Sequence, residues 1–233
     1  LVCATFASCG GESNLSVSKP AAQRPDVDAS MIAKGVVEIP DAAEFNYTTY
    51  RSGQTGEARG EVKQVGKDGA VCSVQAGADG SGWAECLLGY CFDNTSGSKL
   101  EAAVHLKLRV SQQVEGVIAQ PQTIDNATSA KGTLQFLIKD TNGKTLRTEN
   151  LMTGDLATGS GSASATHDLV FATNFEPDKG YYIVLAGRVD VAAGKGQNSK
   201  MTLEIADASM NISWKAAAPA QADASKIMPA SAQ

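Results

Sequence analysis

The sequence predicts an all-β fold, an antiparallel β-sandwich of jelly-roll or immunoglobulin-like kind. Apolar and polar residues alternate with period two through Tyr181–Asp190, Met201–Ile205 and Met210–Trp214, the pattern of strands with one wet face. The 23 glycines, with many Ser and Thr, suit short strands joined by many turns. None of the 7 prolines interrupts a stretch that reads as a strand.

Composition narrows the function classes. The chain has 233 residues, enough for one large domain or two small ones. Its formal charge is -5 and its pI near 5.1, with no basic cluster, which excludes a nucleic-acid partner held by counterion release. No apolar run reaches the roughly 18 residues that cross a bilayer. No membrane-spanning helix is therefore expected.

Residues 1–9 are apolar or small, and polar Gly10–Asn14 follow abruptly. Phe6-Ala7-Ser8-Cys9 resembles the bacterial lipoprotein cleavage box, a bulky apolar residue and two small ones before the acylated cysteine. The resemblance covers four residues, with Phe where Leu is more usual. It implies that Cys3 leaves with the signal peptide and that Cys9 becomes the lipid-bearing N-terminus. By the sorting rule of enterobacterial lipoproteins, Gly10 in place of Asp implies the outer membrane, on its periplasmic or surface face. Secretion after an ordinary cut behind Ala7 is the alternative. Residues 10–30 hold few large apolar side chains and read as a flexible tether.

The sandwich itself is expected over Met31–Trp214. Ile32–Ile39 reads as a strand stopped by Pro40-Asp41, and Phe45–Tyr50 is rich in β-formers. Gly60–Val65 and Ala70–Gln75 flank a Gly66–Gly69 turn. A hairpin centred on Asp79 joins the latter to Trp83–Phe92, placing Cys72 opposite Cys86 and Val74 opposite Ala84. Leu100–Val110 directs Val104, Leu106, Leu108 and Val110 inward and Glu101, His105, Lys107 and Arg109 outward. Ser111–Lys131, with Pro121 and few apolar residues, is a functional excursion or a boundary between two small β-domains. Leu134–Lys139 turns through Thr141-Asn142-Gly143, with Gly143 left-handed, so that Ile138 faces Leu146. Gly154–Ala165 reads as a loop.

Thr166–Trp214 reads as the closing sheet. Its first turn is Glu176–Gly180, with Pro177 at the first corner and Gly180 left-handed. Ile183, Leu185, Leu203, Ile205 and Ile212 face one core, and Thr202, Glu204, Asn211 and Ser213 face water. Gly194-Lys195-Gly196 is a hairpin loop, and the Ala- and Pro-rich tail 215–233 is expected to be disordered. These closing strands are similar to those of bacterial carbohydrate-binding jelly rolls, a likeness of fold that leaves function open.

Chemistry-bearing residues are few. Export favours a disulfide, and Cys72–Cys86, neighbours across the hairpin, is the expected pair, leaving Cys91 over. Buried free thiols and a metal site are the alternatives, the latter lacking a Cys-x-x-Cys pair and a nearby histidine. His105 and His167 are expected at the surface. No nucleophile elbow, zinc-protease helix, phosphate loop or calcium loop occurs, so no catalytic residue, metal or cofactor is assigned. Trp83, beside the Asp79-Gly-Ser-Gly loop, is the candidate for stacking on a sugar ring, with Asp79 as its polar companion; a core tryptophan is the other reading. Asn14, Asn46, Asn94, Asn126 and Asn211 open Asn-x-Ser/Thr triplets, glycan acceptors in a eukaryotic secreted protein. The expectation is an exported, lipid-anchored binding protein taking carbohydrate or protein at loops of one end of the sandwich. A structural partner of other envelope proteins and an exported hydrolase are the alternatives.

Overall fold

The computed structural model describes residues 24–116, 128–155 and 161–217. Cys3, Cys9, most of the expected tether, the Pro121 segment and the Ala-rich tail beyond 217 lie outside the described residues. In order, the elements are β1 (Asp26–Val27), α1 (Ala29–Lys34), β2 (Val36–Ile39), β3 (Tyr47–Thr55), β4 (Ala58–Val65), β5 (Gly69–Ala76) and β6 (Ser81–Asn94). There follow β7 (Leu100–Gly116), β8 (Ser129–Asp140), β9 (Thr145–Asp155), β10 (Gly161–Phe175), β11 (Lys179–Ala192) and β12 (Ser199–Ala216).

Strand pairing decides between the two sandwiches the sequence allows. β8 and β9 form a hairpin; outside it β7 pairs with β10, then β6 with β11, then β5 with β12, all antiparallel. Four nested pairs rolled into two sheets make a jelly roll. One sheet runs β6-β11-β8-β9, with β1 and β3 sharing the free edge of β6; it is called the β6 sheet below. The other, the β12 sheet, runs β10-β7-β12-β5-β4, and β2 pairs with β12 beyond the end of β5.

This topology corrects two expectations. Thr166–Trp214 is not one sheet, because β10 and β12 lie in one layer and β11 in the other. The Gly194–Gly196 loop is accordingly a crossover rather than a hairpin. Nor do β5 and β6 form a hairpin: Cys72 pairs with Leu203 and Val62, and Cys86 with Gly187 and Tyr50, in different sheets. Period-two patterning reports which face a residue takes, but it is blind to which sheet a strand joins.

The faces follow the pattern closely. Val104, Leu106, Leu108, Val110, Ile183, Leu185, Leu203, Ile205 and Ile212 all belong to one buried core, while Glu204, Asn211 and Ser213 are exposed. Each such Leu or Ile contributes about 1.5–3 kcal/mol by leaving water. Phe136 and Phe171 stack across the layers at 4.4 Å, and Phe92 meets Phe175 edge-on at 5.0 Å.

Local corrections have local causes. Met31–Lys34 is helical, because the Asp28 carboxylate caps the amides of Ser30 and Met31 and Gly35, at φ 77, ends the turn. The fold therefore begins before residue 31, inside the expected tether. Ile138 pairs with Arg147 and not Leu146; a bulge beyond Lys139–Thr145 leaves Leu146 exposed, and the Arg147 guanidinium lies 5.1 Å over the Phe171 ring. Gly143 is left-handed at φ 86 as the loop requires, but in the 176–180 turn the left-handed residue is Asp178, at φ 55. Ser111–Gly116 extends β7, and Gly161–Ala165 already belongs to β10. His167 faces inward on β10 and is only half-exposed, with its Nε2 buried and unpartnered among the described residues.

Two of the Asn-x-Ser/Thr asparagines serve the fold. Buried Asn94 donates to the carbonyls of Ser98, Phe175 and Glu176 at 3.0–3.3 Å, and Asn46 makes two hydrogen bonds to the Cys91 backbone. Asn211 is exposed; Asn14 and Asn126 lie outside the described residues.

Candidate binding face

Among the described residues, Trp83, Tyr47 and Tyr182 come part-exposed to the outer face of the β6 sheet, which β3, β6, β11 and β8 form; Tyr50, also part-exposed, packs against the core. Antiparallel register arranges that face in rows. Gly53, Trp83, Asp190 and Lys131 form the first row, and Arg51, Glu85, Arg188 and Thr133 the second. Thr49, Leu87, Ala186 and Gln135 form the third, and Tyr47, Gly89, Val184 and Leu137 the fourth. Cys91, Tyr182 and Lys139 complete it.

Trp83 lies flat on this surface because its strand neighbour has no side chain. A Cβ on Gly53 would stand 2.5 Å from the indole Nε1 and 2.8 Å from Cε2. The Arg188 guanidinium sits 4.9 Å from the ring centroid. It is held there by a two-pronged grip on Asp190, at 2.8 and 2.7 Å, with Glu85 at 3.9 Å. Asp190 first, and Glu85 more weakly, push the Arg188 pKa further up, so the cation is permanent. Trp83 is thus neither a core residue nor an open platform, but half-buried beneath a cation.

At the other end, the rings of Tyr47 and Tyr182 meet at 5.0 Å and 57°. The Tyr182 hydroxyl accepts from Arg24 at 3.4 Å, and Arg24 also pairs with Asp93 at 3.0 Å. Cys91, wholly buried on this face, has its thiol pushed up to about 11, chiefly by burial. Between the two ends, Leu87, Val184, Ala186 and Leu137 make a low apolar strip; Val184 is only 6% exposed.

Asp79 does not join the face. It sits in the β5–β6 crossover with φ 55, exposed, and its carboxylate makes no bond to a described residue. Its role there is the left-handed turn. Of the two residues singled out in the sequence, Trp83 lies on this face and Asp79 lies off it, in the crossover; Tyr47, Tyr182, Arg51, Glu85 and Arg188 share the face with Trp83.

The chain is similar to carbohydrate-binding modules. A solved structure described as the basis for promiscuous specificity in such modules of the β-sandwich superfamily is 12% identical, covering 71% of this chain and 56% of its own, with a TM-score of 0.26. The chain thus spans little more than half of that structure. The family 11 module of the cellulosomal cellulase Lic26A-Cel5E of Clostridium thermocellum is 11% identical over 74% of this chain and 91% of its own, at TM-score 0.25. A Clostridium thermocellum family 11 module in complex with a β-1,3-1,4-mixed-linked tetrasaccharide is 13% identical over 74% and 95%, at TM-score 0.23. No protein-family model and no curated protein matches. The jelly roll rests on strand pairing, not on this likeness.

The outer face of the β12 sheet offers different chemistry. His105 and Lys107 both contact Asp168, the latter at 3.3 Å, and hold its carboxyl below the usual carboxylate range. No group of three or more metal-ligating side chains occurs among the described residues.

Proposed function

We propose that the protein is an exported binding protein, anchored to a bacterial outer membrane through a lipid on Cys9. Its jelly roll takes a neutral, extended carbohydrate on the outer face of the β6 sheet. The observation that carries this reading is the placement of Trp83, Tyr47 and Tyr182 on one face, interleaved with paired polar groups. Sugar rings present apolar C–H faces that suit aromatic rings, and their hydroxyls suit fixed donors and acceptors. At the centre of the face the charges oppose one another, Arg51 beside Glu85 and Arg188 with Asp190, while Lys131 and Lys139 flank them on β8; opposed donors and acceptors at the centre suit the hydroxyls of an uncharged ligand. Trp83 and the Gly89 position beside Tyr47 are six residues apart on β6, roughly 20 Å, so a ligand touching both is a chain and not a single ring. Export and anchoring rest on Phe6–Cys9 alone.

Affinity electrophoresis of the full chain in gels of soluble neutral glucans, mannans and xylans tests the binding. Retardation by at least one, lost in Trp83→Ala and Tyr182→Ala, is the expected result; no retardation by any overturns the carbohydrate reading. Mass spectrometry of native material should find Cys9 acylated, and an unmodified Cys9 overturns the anchor. A second reading, docking of an envelope protein, is favoured by the apolar strip of Leu87, Val184 and Leu137. Leu137→Lys should abolish that docking while Trp83 remains in place.

A further inference from the structure

Cys72 and Cys86 enter the sandwich from opposite sheets, and both are fully buried. Their sulfurs crowd one glycine. The Cys72 thiol donates to the Gly187 carbonyl at 3.9 Å, and a Cβ on Gly187 would stand 2.9 Å from the Cys86 sulfur. The same point lies 3.0 Å from a Leu203 methyl and 3.3 Å from one of Ile205, so the surroundings are close-packed. In this structure both are free thiols, as is Cys91.

We propose that Cys72 and Cys86 join in a single disulfide between the two sheets, and that the bond is made while the chain folds, not afterwards. The oxidant is a disulfide, either small like oxidised glutathione or carried by an oxidoreductase. One cysteine thiolate attacks it, forming a mixed disulfide and releasing one thiol; the second cysteine then displaces the other. In sum, two cysteine S–H groups and the oxidant's S–S bond become the Cys72–Cys86 bond and two thiols on the oxidant.

The timing follows from the site. Only a thiolate attacks, and the neighbouring Cys86 sulfur, followed by burial, pushes the Cys72 thiol far above its ordinary range. Once the layers close, both cysteines are fully buried and an oxidant in solvent no longer reaches either sulfur. Cys91 lies on the outer face of the β6 sheet beside Tyr182, away from the inter-layer core, so this pairing leaves it over. The bond would enclose about 15 residues, including the crossover from one sheet to the other, and so would restrict the unfolded chain.

Differential alkylation with peptide mapping of the full chain tests both claims. One sample is refolded from denaturant with excess oxidised glutathione; another is folded under reductant and then given the same oxidant without unfolding. In the first, Cys72 and Cys86 should resist alkylation until reduced and appear as one linked peptide pair, while Cys91 reacts on unfolding. In the second, all three should react on unfolding, and thermal unfolding should come roughly 6–12 °C lower. Three reactive cysteines in the first sample overturn the bond. A linkage through Cys91 overturns the pairing, and rapid cross-linking of the already folded chain overturns the timing.

Discussion

On the outer face of the β6 sheet, Trp83, Tyr47 and Tyr182 lie half-buried around an apolar strip. On the outer face of the β12 sheet, the same pleat positions carry ions in pairs. Lys63 meets Glu61 at 2.9 Å, Lys107 meets Asp168 at 3.3 Å, Arg109 meets Asp207 at 2.5 Å, Lys200 meets Glu115 at 3.2 Å and Lys215 meets Glu101 at 3.0 Å. The described strands bring no Phe, Tyr or Trp to that second face. It nonetheless holds a trough of about 640 Å³ whose lining includes Ala103, Ala172, Ser213 and buried Trp214. The trough exists because small residues line it, and exposed ion pairs around it contribute little to stability. The aromatic face keeps costly half-buried aromatic and charged groups in fixed positions, which is what recognition needs.

The core beneath both faces sets the largest effect. Leu185→Ala and Leu203→Ala should each cost about 2–5 kcal/mol, measured as a shift of the denaturation midpoint, and so weaken both faces at once. A silent result for either would place its strand outside the cooperative unit.

Next come changes confined to one face. Trp83→Ala and Tyr182→Ala should lower carbohydrate affinity about tenfold each, roughly 1.4 kcal/mol, with far less effect on the midpoint. Gly53→Ala is subtler, because its new Cβ would stand 2.5 Å from the indole Nε1. Lifting the ring should red-shift the Trp83 fluorescence and weaken binding severalfold; unchanged emission would mean that the ring does not rest on Gly53.

These tests depend on residues that the sequence disclosed unevenly. Alternation assigned Tyr182, Arg188 and Asp190 outward and Val104–Val110 inward correctly, because the side-chain period is local. The site needed the order of strands as well. Tyr47 and Tyr182 are neighbours only because β3 and β11 flank β6, and long-range pairing leaves no local trace. For the same reason local spacing puts Cys72 and Cys86 in one hairpin, although their strands lie in different sheets. The helix at Ala29–Lys34 is marked locally by its Asp28 cap and Gly35 stop, a signal that reading Ile32–Ile39 as one strand passes over.

Alkaline pH should probe the groups buried under and beside the aromatic face. Burial pushes Cys91 up to about 11 and Tyr50 to about 12, against ordinary values of 9.0 and 10.0. The unfolded chain ionises first, so their contribution is intact below about pH 9 and falls as pH rises toward 12. Cys91→Ala should flatten the early part of that fall, read as the slope of stability against pH; an unchanged slope would remove Cys91 from the account. Smallest of all, Glu204→Ala and Asn211→Ala on the ion-paired face should move the midpoint by less than about 0.5 kcal/mol and leave binding unchanged.

The claim that the aromatic face of the β6 sheet, and not the trough on the β12 sheet, is the binding surface is tested most directly by NMR. The isotope-labelled chain would be titrated with whichever soluble polysaccharide retards it in the gel. The account predicts that the Trp83 indole N–H and the amides of Arg51, Glu85, Ala186 and Arg188 shift together and saturate, while Ala103, Ala172 and Ser213 stay still. Shifts confined to those last three would contradict it and move the site to the opposite face.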